Sequence, residues 1–427
     1  MNEQVEFEYK EEQFKGLLIK EEGDLLTIKL SSGYNASFPL SDISSLVRKA
    51  NSSAKVLVSE VPASKDKKLP KVSILHTGGT IASKVDYATG AVISKFDSKE
   101  LLALFPELHG LARIDAKMIG NLMSEDLNFF HYNGLIKAIA KEIESGADAI
   151  IISHGTDTMH YSSAALQYAL HNLPIPVLLV GAQRSSDRAS SDAYSNLSAA
   201  LQFIGDQYGN ENAYRRVGIC MHAGKSDDSF NIVDGINAKK MHSSRRDAFK
   251  QINFPPVAKI TLSGPIEYTR DLKTSLPKEP FSYDLFNPEL CIGFFKVHPH
   301  LQKKELESLS LYDAVIIEAT GLGHVGVSHF DDYTKTHPEF LDVFKNLVEN
   351  GTKLVVGVQT VYGQTNMNVY TPGRRLLATG VKGQGMNLTT ETLFARTSYL
   401  LSTDKEHFDE AWEKNLEGFE LESLDLD

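Results

Sequence analysis

The sequence predicts an α/β protein with a parallel β-sheet, followed by a smaller α/β domain and preceded by a small β-rich unit. Apolar runs such as VSILH and AIIIS are nearly continuous, which is typical of parallel strands buried on both faces. They alternate with segments of helical spacing, which is the pattern of α/β folds. Several runs end in glycine and polar residues, so we expect a ligand site beyond the carboxyl ends of the strands.

Residues 1–58 form the predicted β-rich unit. Three short apolar runs lie at Leu17–Ile19, Leu25–Leu30 and Ala36–Leu40, separated by EEGD and SSGYN. Glycine-containing breaks at this spacing predict a meander of hairpins with a barrel-like form. Residues 59–71 contain two prolines and four lysines and are predicted to form an exposed linker.

Residues 72–267 form the predicted larger α/β domain. Its first strand ends in HTGG, and a helix is predicted later, over NFFHYNGLIKAIAKEIE. Ile136, Ile139 and Ile143 share one face of that helix, and Gly146 is its stop signal. The runs ADAIIIS, IPVLLV and RVGICMH predict further strands, with a helix over SSAALQYALHNL between the first two.

A polar, turn-rich segment at 268–284 is predicted to join this domain to a second α/β domain at 285–427. Strands are predicted within YDAVIIEAT and TKLVVGVQT, and Trp412 is expected to pack in a C-terminal helix. The final LEGFELESLDLD alternates leucine with acidic residues, and we expect it to be a solvated tail.

The composition excludes several classes of protein. A chain of 427 residues with 42% hydrophobic content suits about three domains with sizeable cores. Its two cysteines, Cys220 and Cys291, provide no disulfide framework and indicate a reducing cytoplasm. The charged N-terminus predicts no signal peptide, and no apolar run predicts a membrane span. The net charge of −11 argues against a nucleic acid held by this chain alone.

Two polar loops at predicted strand ends could carry chemistry. The first, HTGGT, contains Thr77, Gly78 and Gly79, and the second, SHGTDTM, contains Thr156 and Asp157. The first loop lacks the G-x-x-x-x-G-K-[ST] pattern of phosphate-binding loops and the G-x-G-x-x-G pattern of dinucleotide sites. The simpler alternative is that TGGT only turns the chain and that the Thr-Asp pair caps a helix.

A hydroxyl nucleophile requires a base and an oxyanion site. Either threonine could supply the hydroxyl, and backbone N–H groups near the glycines could hold the oxyanion. One of two adjacent lysines in INAKKMH could manage the proton with Asp157. A lysine must be neutral to act as a base, which a nearby carboxylate opposes, so the pair would titrate as a unit. His76, His154 and His160 lack the ligand spacing of zinc sites, so we expect hydrogen-bonded histidines and no metal.

Together, TGGTIAS and HGTDTM resemble the paired signatures of the L-asparaginase family. The resemblance covers most of residues 72–400 and includes GAQRSSDRASSDAYSNL, EATGLGHVG and GMNLTTET. The N-terminal β-rich unit, RSSDRASSDA and MHSSRRDAF are more similar to the glutaminase subunits of archaeal tRNA-dependent amidotransferases. The resemblance implies an asparaginase-like fold with a larger parallel-sheet domain and a smaller C-terminal α/β domain.

The resemblance also implies the roles of individual residues. The nucleophile that attacks the substrate amide would be Thr77, with Thr156 as its rival. Thr156 and Asp157 would form the family's Thr-Asp pair, with Gly78 and Gly79 in the substrate-binding loop.

The family's catalytic lysine would be Lys240, although the adjacent Lys239 is possible. The substrate-binding Ser-Gln pair of the family is similar to Ser124 and Glu125, where Glu replaces Gln. A carboxylate there could pair with the α-ammonium of the substrate. Free asparaginases often carry Asn in the GxGN loop, where this chain has His324, so that contact is not carried over.

The implied activity is hydrolysis of L-glutamine to supply ammonia for converting Glu-tRNA(Gln) to Gln-tRNA(Gln). An amidotransferase partner subunit, of the E type, would hold most of the tRNA and use ATP and magnesium, and no cofactor is expected in this chain. The resemblance also implies a homodimer of this chain within a heterotetramer, since asparaginase-like sites are completed across an interface between two copies. The alternatives are a free cytoplasmic L-asparaginase or glutaminase and a catalytically inactive binding module.

Overall fold

The computed structural model describes residues 3–10, 12–30, 35–50, 66, 68–79, 83–85, 92–94, 106–184, 191–270, 277–414 and 416. Most of the predicted linker at 59–71 and nearly all of the predicted acidic tail lie outside the described residues. No helix in these ranges is long and apolar enough to cross a membrane.

The N-terminal unit is a five-stranded antiparallel sheet, as the hairpin pattern predicts. Its strand order is β4-β3-β2-β1-β5, so consecutive hairpins form a meander and the last strand returns to pair with the first. Val5 and Phe7 alternate onto the same buried face, where they pack with Phe38. Because β5 lies at the edge opposite β4, the described strands form an open sheet, and closure into a barrel is not observed. The strands are β1 (Glu3–Tyr9), β2 (Glu12–Glu22), β3 (Leu25–Leu30), β4 (Asn35–Pro39) and β5 (Ile43–Ala50).

The larger α/β unit is built on an eight-stranded sheet with the order β18-β17-β14-β13-β12-β10-β6-β9. The five neighbouring strands β9, β6, β10, β12 and β13 are parallel to one another, as predicted. The other three, β14, β17 and β18, join the sheet through antiparallel pairs. Short connections permit the antiparallel pairs, since a parallel pair needs a long crossover. The strands are β6 (Lys71–Gly78), β9 (Arg113–Leu122), β10 (Ala149–Ser153), β12 (Val177–Val180), β13 (Val217–His222), β14 (Ser229–Asp234), β17 (Ala258–Thr261) and β18 (Ile266–Tyr268).

Three two-stranded ribbons accompany this sheet. The third of them carries the lysine pair of the INAKKMH segment. The pairs are β7 (Ser83–Val85) with β8 (Val92–Ser94), β11 (Leu170–His171) with β19 (Ser282–Tyr283), and β15 (Ala238–Lys240) with β16 (Phe249–Gln251).

Helices cover both faces of the central sheet. α1 (Phe129–Glu144) and α2 (Met159–Ala169) share one apolar core, and α3 (Ala193–Gln207) belongs to the core on the other face. Ile150 and Ile152 of β10 point into the first core and Ile151 points into the second, which explains why this strand is apolar without alternation. Asn128 is the N-cap of the predicted first helix, where its side chain accepts the Phe130 N–H, and the helix ends at Glu144, two residues before Gly146.

The C-terminal unit contains a parallel three-stranded sheet of order β20-β21-β22. One of its helices, α7, contributes Leu393 and Leu400 to the same apolar core as α1 and α2, so the two units share a core. Trp412 is buried as predicted, with the guanidinium of Arg396 4.6 Å from the centre of its ring. The elements are β20 (Ile292–Lys296), α4 (Lys303–Glu307), β21 (Ala314–Ala319), α5 (Glu339–Glu349), β22 (Lys353–Val358), α6 (Thr371–Leu377), α7 (Thr390–Thr403) and α8 (Phe408–Trp412).

The order of the parallel strands determines where a ligand can bind. From β6 the chain passes to β9 on one side and then to β10 on the other. The winding of the sheet therefore reverses between β6 and β10, and open α/β sheets bind ligands beyond the carboxyl ends of the strands at such a reversal. HTGG ends β6, and HGTDTM follows β10. Both predicted motifs consequently lie at this point of the sheet.

Candidate active site

The two motifs meet directly at the ends of their strands. β6 and β10 are parallel neighbours, with His76 opposite Ser153. Beyond this pair, the hydroxyl of Thr77 donates to the carbonyl oxygen of Ser153 at 3.0 Å, and the Thr77 side chain is buried. Ser153 is the last residue of β10 and directly precedes HGTDTM. The neighbouring strand thus determines the position of Thr77.

The glycines after Thr77 permit a close approach between backbones. Gly78 has φ +116°, and a Cβ there would lie 2.2 Å from the carbonyl oxygen of Leu122. Gly79 has φ +79°, and its Cβ would lie 2.4 Å from the backbone nitrogen of Gly155. The Gly79 N–H donates to the Leu122 carbonyl at 3.0 Å. Among the backbone N–H groups near these glycines, that of Gly79 is therefore already engaged by the end of β9, and the oxyanion site near them stays a prediction.

We expect Gly79→Ala to destabilise the protein far more than Gly146→Ala. Both glycines have nearly the same φ, +79° and +77°, but no atom lies within 4 Å of a Cβ at Gly146. The conformational penalty alone costs about 1 kcal/mol at Gly146. The clash with Gly155 should raise the loss at Gly79 to about 3 kcal/mol or more. Denaturant unfolding of both variants measures the difference, and equal losses would contradict the predicted clash.

The second motif is joined to a lysine of the β15–β16 ribbon. Lys240 Nζ lies 2.8 Å from Thr156 Oγ1 and 2.7 Å from Asp157 Oδ1. The lysine side chain is 7% exposed, whereas the aspartate side chain is 66% exposed. The buried ammonium is thus held by a buried hydroxyl and by a carboxylate that faces solvent.

The structure distinguishes between the two adjacent lysines that the sequence offers. Neighbouring residues of a strand point to opposite sides. Lys239 Nζ accordingly lies 2.5 Å from Glu391 Oε1, on the C-terminal unit, and Lys240 faces Thr156. The geometry therefore favours Lys240 as the lysine of the candidate site.

The predicted substrate-binding residues lie at the end of the adjacent strand β9. Ser124 is buried against Gly155, and its carbonyl accepts the hydroxyl of Thr158 at 2.8 Å. Glu125 is exposed, and one of its carboxylate oxygens lies 3.4 Å from the Ser124 hydroxyl. A carboxylate with this exposure can bind a cationic group of a molecule that enters from solvent. The candidate groups thus come from the carboxyl ends of three neighbouring strands and from one ribbon.

Comparison with known proteins identifies a family that spans both α/β units. The chain matches the family description "Asparaginase, N-terminal" over residues 71–274 and "Glutaminase/Asparaginase C-terminal domain" over residues 292–411. It is 36% identical over 426 residues to the D-type subunit of glutamyl-tRNA(Gln) amidotransferase from Thermoplasma acidophilum, covering 99% of this chain and 98% of that protein. The D-type subunit from Thermococcus kodakarensis is 38% identical over 384 residues, covering 88% of this chain and 81% of the relative.

The chain belongs to the asparaginase family, in the group of D-type subunits of glutamyl-tRNA(Gln) amidotransferases. Solved structures of the family have the same fold. The thermostable L-asparaginase from Thermococcus kodakarensis matches with a TM-score of 0.69 and 25% identity, covering 83% of this chain and 99% of that one. L-asparaginase I from Vibrio cholerae matches with a TM-score of 0.69 and 24% identity, covering 82% and 98%.

Two residues beside the site of this asparaginase-family chain escaped the sequence analysis. Glu391 holds Lys239, as described above. Asn237 connects the lysine ribbon to the C-terminal unit, because its side chain donates to the carbonyl of Asn387 at 2.9 Å and accepts the N–H of Thr389 at 2.9 Å. The only local signal is the Asn itself, which tolerates the left-handed backbone found there, φ +61°. Neither cross-unit contact follows from a local pattern.

The rings of His76 and His154, near the motifs, are buried and hydrogen-bonded, whereas Nδ1 of the buried His160 has no hydrogen-bond partner among the described residues. His76 contacts the hydroxyl of Ser153, and His154 Nδ1 lies 2.6 Å from the carbonyl oxygen of Gly155, to which it donates. Burial lowers the pKa of His154 to about 4, against an ordinary value of 6.5. His154 is therefore neutral at neutral pH and serves as a fixed donor beneath the second motif.

The low pKa of His154 predicts a loss of stability in acid. In the unfolded chain His154 binds a proton near pH 6.5, whereas in the folded chain it resists protonation down to about pH 4. The stability that neutral His154 contributes is present above pH 6.5 and is lost as the pH falls from 6.5 to about 4. Between about pH 7 and pH 4.5 we expect wild-type protein to lose about 2 kcal/mol more unfolding free energy than His154→Asn. The exposed His407→Asn is the control, and an equal acid loss in wild type and His154→Asn would refute the prediction.

Proposed function

We propose that this chain is the glutamine-hydrolysing subunit of a tRNA-dependent amidotransferase. The observation that carries this proposal is the contact of buried Lys240 with Thr156 and Asp157, beside Thr77 at the reversal point of the sheet. This arrangement brings together a hydroxyl, a proton-handling group and closely packed backbone, which acyl transfer from an amide requires. The named relatives that cover nearly the whole chain supply the substrate class.

The proposed nucleophile is Thr77. Its hydroxyl proton is directed at the Ser153 carbonyl, and a hydroxyl that donates in this way keeps lone pairs to attack a carbon. Attack of Oγ1 on the side-chain carboxamide of glutamine forms a tetrahedral intermediate. Collapse of that intermediate breaks the C–N bond and releases ammonia. Water then cleaves the resulting ester to give glutamate and restore the threonine.

The proposed proton relay consists of Thr156, Lys240 and Asp157. For the attack, the Thr77 hydroxyl turns from the Ser153 carbonyl and gives its proton to Thr156. Thr156 passes its own proton to the neutral amine of Lys240, its neighbour at 2.8 Å, and Asp157 stabilises the ammonium that results. The same proton then leaves with the amide nitrogen as ammonia. Since Gly79 is engaged by Leu122, the oxyanion needs another donor or a shift of this loop as substrate binds.

Substrate selection is assigned to Ser124 and Glu125. The exposed carboxylate of Glu125 would pair with the α-ammonium of glutamine, in place of the amide side chain usual in the family.

The remaining steps of the proposed reaction take place on an amidotransferase partner subunit of the E type. That partner would bind Glu-tRNA(Gln) and activate it with ATP and magnesium, then accept the ammonia released here. The net charge of −11 on this chain supports leaving most of the tRNA to the partner. We further propose that two copies of this chain associate within a cytoplasmic heterotetramer.

A free L-asparaginase is the competing function, since solved L-asparaginases share the fold over nearly their whole length. The N-terminal sheet favours the amidotransferase, because the family match begins only at residue 71, whereas the relative from Thermoplasma acidophilum aligns over 99% of this chain.

The test compares hydrolysis of glutamine and of asparagine by the purified chain, alone and with its partner subunit and Glu-tRNA(Gln). We expect glutamine to be preferred and its hydrolysis to accelerate in the complex. Full activity of the isolated chain with a preference for asparagine would instead identify a free asparaginase. No hydrolysis of either amide under any of these conditions would indicate a binding module.

A further inference from the structure

The two lysines of β15 connect different parts of the molecule. Lys240 contacts Thr156 and Asp157 of the candidate site. Lys239 points the other way and pairs with Glu391 in the first turn of α7, at 2.5 Å. The side chains of this second pair are only 24% and 12% exposed. One short strand thus carries one lysine to the site and the other to the C-terminal unit.

The turn before β15 attaches the lysine ribbon to the C-terminal unit at a second point. Asn237, in that turn, exchanges hydrogen bonds with residues 387 and 389. β15 is three residues long and pairs only with β16 among the described strands. An isolated ribbon of this length determines its own orientation weakly. The cross-unit contacts therefore help to orient the strand, together with the hydrogen bonds of Gln251 on β16 to the backbone of Asp234 and Ile236.

The environment of Glu391 suits a fixed ion pair. A carboxylate in the first turn of a helix is stabilised by the helix dipole, and α7 is 14 residues long. Breaking a buried pair by removing one partner leaves an uncompensated charge, so the geometry of such a pair is strongly maintained. His160, whose pKa is lowered to about 4 by burial, also experiences the charges of Glu391, Lys239 and Lys240. The ion pair and the candidate site are thus within electrostatic reach of one another.

We propose that Lys239 and Glu391 are positioning residues, which hold β15 in the orientation that keeps Lys240 Nζ on Thr156 and Asp157. The pair would thereby make the proton relay depend on the docking of the C-terminal unit. Neither residue needs to touch substrate for this role. The inference rests on the proposed hydrolysis of glutamine.

The test measures glutamine hydrolysis by the full chain with its partner subunit, in wild type and in Lys239→Met. We expect kcat to fall by about 10- to 100-fold, since small misplacements of a catalytic group have effects of this size. KM should change by less than about threefold, because uniform substrate binding is unaffected. Lys239→Arg, which preserves the charge, should retain most of the wild-type kcat.

Lys353→Met is the matched control. Lys353 is 25% exposed and pairs with Asp409 across elements of the C-terminal unit, at the amino end of its strand and away from the site. This variant loses an ion pair whose lysine is exposed to the same extent as Lys239, and its kcat should stay within about twofold of wild type. The Lys239→Met/Glu391→Gln double variant leaves no buried charge unpaired, so it tests the same role if the single variant folds poorly.

The outcomes separate the two proposals. If wild-type protein hydrolyses glutamine and the Lys239 variants, single and double, behave like Lys353→Met, the positioning role is overturned and the proposed function stands. A change in KM with kcat preserved also overturns the positioning role. Wild-type protein that hydrolyses no glutamine overturns the proposed function itself.

Discussion

Lys240→Met should lower kcat for glutamine hydrolysis by about 10³-fold, because general acid–base groups typically contribute about 10²- to 10⁴-fold. Methionine preserves the length and packing of the side chain but provides no amine. Thr156 and Asp157 would then lose the group that both contact, and the attacking hydroxyl would lose its proton acceptor. The loss corresponds to about 4 kcal/mol of transition-state stabilisation.

Steady-state kinetics of the full chain with its partner subunit measure this loss. Lys250→Met is the matched control, because Lys250 lies on β16 of the same ribbon and contacts the carbonyl of Ala223. We expect that control to retain activity within about twofold, because the contact it removes is with Ala223 and not with Thr156 or Asp157. Comparable kcat values for the two variants would contradict a role for Lys240 in proton transfer.

The second large effect concerns the nucleophile. Thr77→Val should reduce hydrolysis by more than about 10³-fold and abolish the covalent acyl-enzyme, since valine has the shape of threonine without the hydroxyl. Thr156→Val should also be slow, because Lys240 loses the hydroxyl through which it acts. Thr156→Val should nevertheless still form the acyl-enzyme, because Thr77 and its contact with Ser153 are unchanged.

Rapid-quench experiments followed by intact-protein mass spectrometry distinguish the two threonines. An adduct on Thr156→Val that is absent from Thr77→Val supports attack by Thr77. A covalent adduct that persists in Thr77→Val would transfer the role to Thr156, the threonine that Lys240 contacts directly. The valine variants also bear on stability, because both threonines are buried. Unfolding curves should therefore accompany the kinetics.

Much of the fold could be predicted because its signals are local. The continuous apolar run of β10 predicts a strand buried on both faces, and its residues alternate between the two cores as expected. Asn128 and Gly146 bound α1 through capping chemistry that needs only neighbouring residues. The antiparallel strands β14, β17 and β18 were not anticipated, since the direction of pairing depends on connection length and on partners distant in the sequence.

The open N-terminal sheet shows the same limit. Hairpin signals predict each antiparallel neighbour in the meander, because a turn joins strands that are adjacent in the chain. Closure into a barrel would require the two edge strands, β4 and β5, to pair with each other. Among the described strands β5 pairs with β1, and no turn motif encodes that choice.

The sequence alone predicts that Thr77 and Thr156 each follow a parallel strand, because apolar runs and the polar residues after them are local patterns. The identity of the lysine that contacts Thr156 follows only from the folded chain. Lys239 and Lys240 are equivalent as sequence, and their separation depends on the contact of β15 with Glu391, about 150 residues away. The same holds for Gly79, whose N–H is engaged by Leu122 of a neighbouring strand. Such contacts join residues far apart in the chain, so they arise only when the packed sheet and the C-terminal unit bring those residues together.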